Sequence, residues 1–129
     1  MEDVLKEIKY EIKKNKLKEL AQNSHITLRQ IEIYLLWQKL REYNIKIENK
    51  IETIDKKKIS IWSMYRILKQ FRENIRKTLI DLIILDLIGV LSASEIEKIS
   101  TISRYIREGL IDEATLKEAL SHILYIHKR

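Results

Sequence analysis

The chain has no cysteine and no proline, and only two glycines and one phenylalanine among its 129 residues. Without cysteine it can form neither disulfides nor thiolate metal sites, which fits an intracellular, cytoplasmic location. Without proline, and with glycine only at 89 and 109, few positions oblige a helix to stop, so an all-α protein is the economical expectation. Two glycines cannot build a glycine-rich phosphate loop. The three histidines do not converge: His25 stands alone, and His122 and His127 are five apart, which separates them on a helix where ligands at i, i+4 would meet. Asp81 and Asp86 sit among aliphatic residues with no nucleophile nearby. No catalytic constellation, metal site or cofactor is therefore expected, and the protein is not read as an enzyme. The opening MEDVLKEIKYEIKK carries acids and lacks an apolar run, so it does not read as a signal peptide.

What the chain does have is charge, unevenly placed. The formal net charge is +6, and between Lys39 and Lys77 twelve Lys or Arg face five Asp or Glu. The rest of the chain nearly balances, so essentially all the positive excess lies in one segment. That is the footprint of a surface for a polyanion, against the blander reading of a solvated lysine-rich face.

At the centre of that segment, Ile59–Lys77 predicts one amphipathic helix. At 100° per residue Ile61, Met64, Tyr65, Leu68, Phe71 and Ile75 form an inner stripe, with Trp62, Ser63, Arg66, Lys69, Gln70 and Lys77 pointing outward. Arg, Lys and Gln are side chains that reach phosphates and base edges. Residues 3–22 predict a helix that bends or restarts near Asn15. Thr27-Leu28-Arg29-Gln30 reads as a capping box opening a helix over 27–42 that is apolar on more than one side, as in the middle of a bundle or at a dimer interface. For 43–58 a short helix over roughly 44–54, with Ile47, Ile51 and Ile54 on one stripe, is preferred. The alternation at 43–48 with a turn at Asn49-Lys50 offers a hairpin instead.

Beyond Thr78 the run TLIDLIILDLIGVL is apolar almost all round, but at about 14 residues and with two acids it is too short and too charged to span a bilayer. Gly89 closes it. Ser92-Ala93-Ser94-Glu95 opens a helix with Ile96, Ile99, Ile102 and Ile106 on one stripe, ending at Gly109. Asp112 caps a last one with Leu116, Leu120, Ile123 and Leu124 inward. The whole predicts a compact bundle of five or six helices, with 1–91 as the core and 92–129 as a helical hairpin packed on the same domain.

The segment Thr27-Leu28-Arg29-Gln30-Ile31-Glu32 is similar to the start of sigma-region-4-like helix-turn-helix proteins. Ser60 to Lys77, with Tyr65-Arg66-Ile67-Leu68-Lys69-Gln70, resembles the recognition helix of archaeal transcriptional regulators of that group. The resemblance spans about 27–91. It implies a helix-turn-helix unit whose third helix enters the major groove. Trp62, Ser63, Arg66 and Gln70 would then read bases, and Arg29, Lys57, Lys58, Lys69 and Lys77 would meet phosphates. The expected function is regulation of transcription by a homodimer on double-stranded DNA, with RNA polymerase or another protein of that machinery as a possible further partner. Two other readings stand beside it: a helical interaction protein for the transcription or replication machinery, and a DNA-packaging subunit indifferent to sequence. Trp62 beside the basic face would also suit stacking on single-stranded bases.

Overall fold

The computed structural model describes residues 1–125, with side chains as far as His122. It contains six helices and one two-stranded sheet: α1 (Glu2–Lys14), α2 (Leu17–Ala21), α3 (Leu28–Glu42), β1 (Lys50–Glu52), β2 (Lys58–Ser60), α4 (Ile61–Leu87), α5 (Ala93–Arg107) and α6 (Glu113–Tyr125). Contacts divide the chain into two units, Met1–Arg76 and Lys77–Arg129. The division falls within α4, whereas the sequence reading places it between 91 and 92.

In the first unit, the restart expected near Asn15 is present. Asn15 caps α1, Lys16 takes a left-handed φ of 53°, and α2 begins at the next residue. Val4 and Ile8 of α1 bury with Ile33, Leu36 and Leu40 of α3 and with Met64 and Leu68 of α4, and Ile51 of β1 joins them. The central place of α3 follows from its sequence, since a helix with apolar residues on several sides needs partners on several sides. Its surplus apolar surface is absorbed within its own unit. The Thr27 capping box is formed, with the Thr27 hydroxyl accepting from the Gln30 amide at 3.1 Å and the Gln30 side chain accepting from the Thr27 amide at 3.3 Å.

The segment 43–58 corrects the sequence reading. It holds no helix over 44–54, and its turn does not lie at Asn49-Lys50. Asn44, at φ 55°, ends α3, and β1 and β2 pair antiparallel with Ile51 opposite Ile59. The turn sits at 53–57, where Asp55 accepts the Lys57 amide at 3.2 Å and Lys56 supplies a left-handed φ of 64°. Aspartate holds such turns by bonding the backbone two residues on. Two strands of three residues are marginal by themselves. Here Ile51 is buried in the core, and the Ile54 amide donates to Glu32 of α3 at 3.0 Å. Tertiary anchoring thus outweighs the helical spacing of the isoleucines.

In the second unit, α4 runs unbroken past Thr78. Gly89, at φ 81°, closes it, with the Val90 amide donating to the Leu85 carbonyl at 2.8 Å. Ser92 and Glu95 form the expected capping box, and Asp112 accepts the Thr115 amide at 2.8 Å. Burial is sparser than in the first unit: Ile106, Ile111 and Leu116 are covered, but Ile96 and Ile99 of the α5 stripe, and Leu120 of α6, expected inward, are exposed. Among the described residues no helix is long and apolar enough to cross a membrane. The inward placement expected for Ile123 and Leu124, and the position of His127, lie outside the described residues.

Replacing Leu36 with Ala deletes buried methyl groups at the centre of the first unit and should cost about 2–5 kcal/mol in urea unfolding.

Candidate nucleic-acid interface

The outward face of α4 exists because its inward face is held at several points. Ser60 starts the helix by accepting the Ser63 amide on its hydroxyl at 3.1 Å. Met64 and Leu68 then bury in the core, and Phe71 packs against Tyr34 of α3 in a tilted arrangement with ring centroids 5.1 Å apart. One turn further, the Asn74 amide donates to the buried Gln30 side chain at 2.9 Å and to the His25 carbonyl at 3.1 Å. Gln30 thus caps α3 and fastens α4 with the same oxygen.

With that side fixed, Trp62, Arg66, Lys69 and Gln70 share the opposite side, and all four are exposed; Trp62 is 79% accessible. Among the described residues neither Arg66 nor Lys69 has a carboxylate partner; the ion pairs present are Arg29–Glu32, Lys39–Glu7 and Arg76–Glu73. The stretch Ile61–Lys77 carries five Lys or Arg against Glu73 alone. Exposed cations without partners are available for phosphates, and an exposed Gln amide for a base edge.

The other sequence-derived candidates sit elsewhere. Ser63 is half-buried, and its hydroxyl accepts from Ser60 at 3.0 Å. Lys57 closes the hairpin turn and Lys58 opens β2, opposite Glu52 in the register; both are exposed. Lys77 is exposed and begins the second unit. Arg29 lies in the first turn of α3 and pairs at 3.3 Å with Glu32, the carboxylate that also holds the hairpin. It therefore serves the junction of α3 and the hairpin as well as the surface.

The sequence reading missed Arg41 and Arg72, which gather around Trp37, and it turned Tyr65 and Ile75 inward where the structure leaves both exposed. The spacing Tyr65–Arg72, two helical turns, carried the signal. The 100° arithmetic, however, puts Tyr65 at the margin of the stripe, where only the neighbouring helix decides.

Two polar sets stabilise the unit away from this face. The Tyr43 hydroxyl donates to Glu7 at 2.8 Å, and that bond raises its pKa; Lys39 approaches Glu7 at 3.5 Å. Partial burial would lower the pKa of Lys39, but the hydrogen bond to Glu7 and the charges of Glu42, Glu7 and Glu11 together keep it above the ordinary value. In the turn, hydrogen bonding from the Thr53 hydroxyl, then from the Lys57 amide, holds the Asp55 carboxyl below the usual range. Among the described residues no group of three or more His, Cys, Asp or Glu is placed to hold a metal ion.

No protein-family model, curated protein or solved structure matches the chain.

Because the folded Asp55 pKa is depressed, its contribution to the turn is complete above the unfolded carboxylate value, about 3.9, and disappears as pH falls through the lower folded value. An amide NMR titration should show Thr53 and Lys57 moving together with a midpoint below about 3.9. Asp55→Asn should abolish that transition.

Proposed function

We propose that this chain is a DNA-binding protein, a transcriptional regulator that presents the outward face of residues 60–77 to duplex DNA and works as a homodimer. The observation that carries this is the exposed set Arg66, Lys69 and Gln70, with neither cation neutralised by a carboxylate, on a helix anchored from behind. Such a set offers charge to phosphates and forked or amide donors to guanine and adenine edges. The lysines at 56–58, at the hairpin turn that leads into α4, add phosphate contacts from a second element. The helix-turn-helix resemblance lends less support than this face does, because a hairpin stands where such a unit has its middle helix.

The homodimer reading draws on the second unit. Leu79, Ile80, Ile83, Ile84, Leu87 and Ile88 are all between 45% and 79% exposed. An aliphatic face of that extent exceeds the scattered apolar residues normal on a monomer and marks an interaction surface. Its occupant is a second copy. The positions fall in pairs, 79–80, 83–84 and 87–88, symmetric about the midpoint between Ile83 and Ile84. An antiparallel pairing about a two-fold axis there brings each of the six to the level of another of the six, as an isologous interface requires. A two-fold dimer presents two copies of the basic face to a palindromic site. A helical interaction protein remains the second reading, favoured by this same face if its occupant is a different protein.

Duplex affinity measured at several salt concentrations tests the reading. Arg66→Ala with Lys69→Ala should weaken binding and reduce the slope of log K against log salt by up to about 1.8, at about 0.9 for each phosphate no longer neutralised, with melting little changed. Unchanged affinity would reject α4 as the reading helix. In sedimentation the chain should run as a dimer, and Ile83→Asp with Leu87→Asp should run as a monomer.

A further inference from the structure

Two arginines from different helices of the first unit converge on one indole. The guanidinium carbon of Arg41, on α3, lies 4.7 Å from the centroid of the Trp37 ring, and that of Arg72, on α4, lies 6.0 Å from it. Both distances are within the range over which an aromatic face attracts a cation. Both arginines are exposed, and neither has a carboxylate partner among the described residues. They line an open groove of about 510 Å³, together with Trp37, Tyr65 and the aliphatic side chains of Leu40, Ile45, Ile47 and Ile61. That is a common size for a site that holds a small organic group.

The indole attracts both cations, but neither has a carboxylate partner among the described residues, so the pair keeps an affinity for an anion. Two guanidinium forks suit a phosphate, which each can grip through paired N–H donors. A bare phosphate, however, would leave the aliphatic and aromatic lining unused. The backbone of a duplex would do the same, because its bases are stacked away from the groove. A nucleotide whose base is unpaired uses both parts.

We propose that this groove takes one nucleotide of a single-stranded nucleic acid, with its phosphate between Arg41 and Arg72 and its base against Tyr65 and the aliphatic lining. Stacking of this kind tolerates any base, so the site selects for an unpaired strand and not for a sequence. It goes beyond the duplex reading of α4, with which it shares only the polyanion.

Trp62→Phe leaves Trp37 as the sole tryptophan, so the emission of this variant reports on the groove. Titration with a ten-residue oligothymidylate should quench that emission. In the same background, Arg41→Gln with Arg72→Gln should weaken binding about ten- to a hundredfold, as expected for lost hydrogen bonds to a charged group. The salt slope should fall by about 0.7, the value for one phosphate of a single strand. Tyr65→Leu, a change at an exposed position that is safe for the fold, should weaken binding about tenfold or more and leave the salt slope unchanged, because a base contact carries no charge. Absence of quenching, or equal quenching by inorganic phosphate at the same concentration, overturns the proposal, as does unchanged oligothymidylate affinity in both the arginine and the tyrosine variants. Oligothymidylate binding without duplex binding keeps the groove and removes the duplex reading. Duplex binding that disappears in the Arg66 and Lys69 variant, with no quenching by the single strand, does the reverse.

Discussion

The side chain of Gln30 is the junction on which the geometry of the first unit turns. It is 7% exposed, and its oxygen accepts from the backbone at the start of α3 and from Asn74 near the middle of α4. A buried amide deprived of these partners would bear the cost of an unsatisfied polar group, so the two helices are tied in both position and rotation. Met64 and Leu68 supply most of the attraction between α4 and the core, but apolar contact is non-directional. The Gln30–Asn74 bond, together with the Ser60 cap, fixes which side of α4 remains outside. The availability of Arg66, Lys69 and Gln70 is thus decided by residues on the other side of the helix, of which Gln30, Met64 and Leu68 are buried.

The hairpin is a second consequence of α3. Glu32 receives the Ile54 amide and Arg29 with one oxygen, and Ile51 enters the core beside the same helix. A sheet of six residues survives because α3 holds the turn just past β1 and the core holds the middle of β1. Its turn is built from Thr53, Asp55 and Lys57, whose mutual bonds leave the lysine side chains at 56–58 exposed just ahead of α4. The basic residues of turn and helix are therefore separate elements fixed to one scaffold.

Much of this could be read from residue order. The caps at Thr27, Ser92 and Asp112, the restart at Asn15 and the glycine ends at 89 and 109 were legible because each rests on interactions within a few residues. The outward direction of Trp62, Arg66, Lys69 and Gln70 followed from helical period. The hairpin was not legible, since Ile47, Ile51 and Ile54 fit a helical stripe and only the contacts of Ile54 with Glu32 and of Ile51 with the core decide otherwise. Nor was the groove at Trp37, which needs α3 and α4 side by side before Arg41 and Arg72 can meet. Long-range juxtaposition, not local preference, accounts for both gaps.

The charges of the first unit fall into two sets that salt affects in opposite ways. Lys39 with Glu7, Arg29 with Glu32 and Arg76 with Glu73 are paired, and added salt weakens pairs of this kind. Arg41, Arg66, Lys69, Arg72 and the lysines at 56–58 have no carboxylate partner among the described residues, and their mutual repulsion is a cost that salt relieves. A polyanion that bound the folded arrangement, as proposed above, would relieve the same repulsion more effectively and stabilise the fold by mass action. Keeping those cations unpaired makes little sense as a means of stability, since acids placed opposite them would have reduced the repulsion. Under the proposed function their counter-charge is a nucleic acid. Because most of the chain's other cations are also unpaired among the described residues, it is the clustering of these on one anchored helix and the turn ahead of it, rather than the lack of an acid alone, that supports the reading.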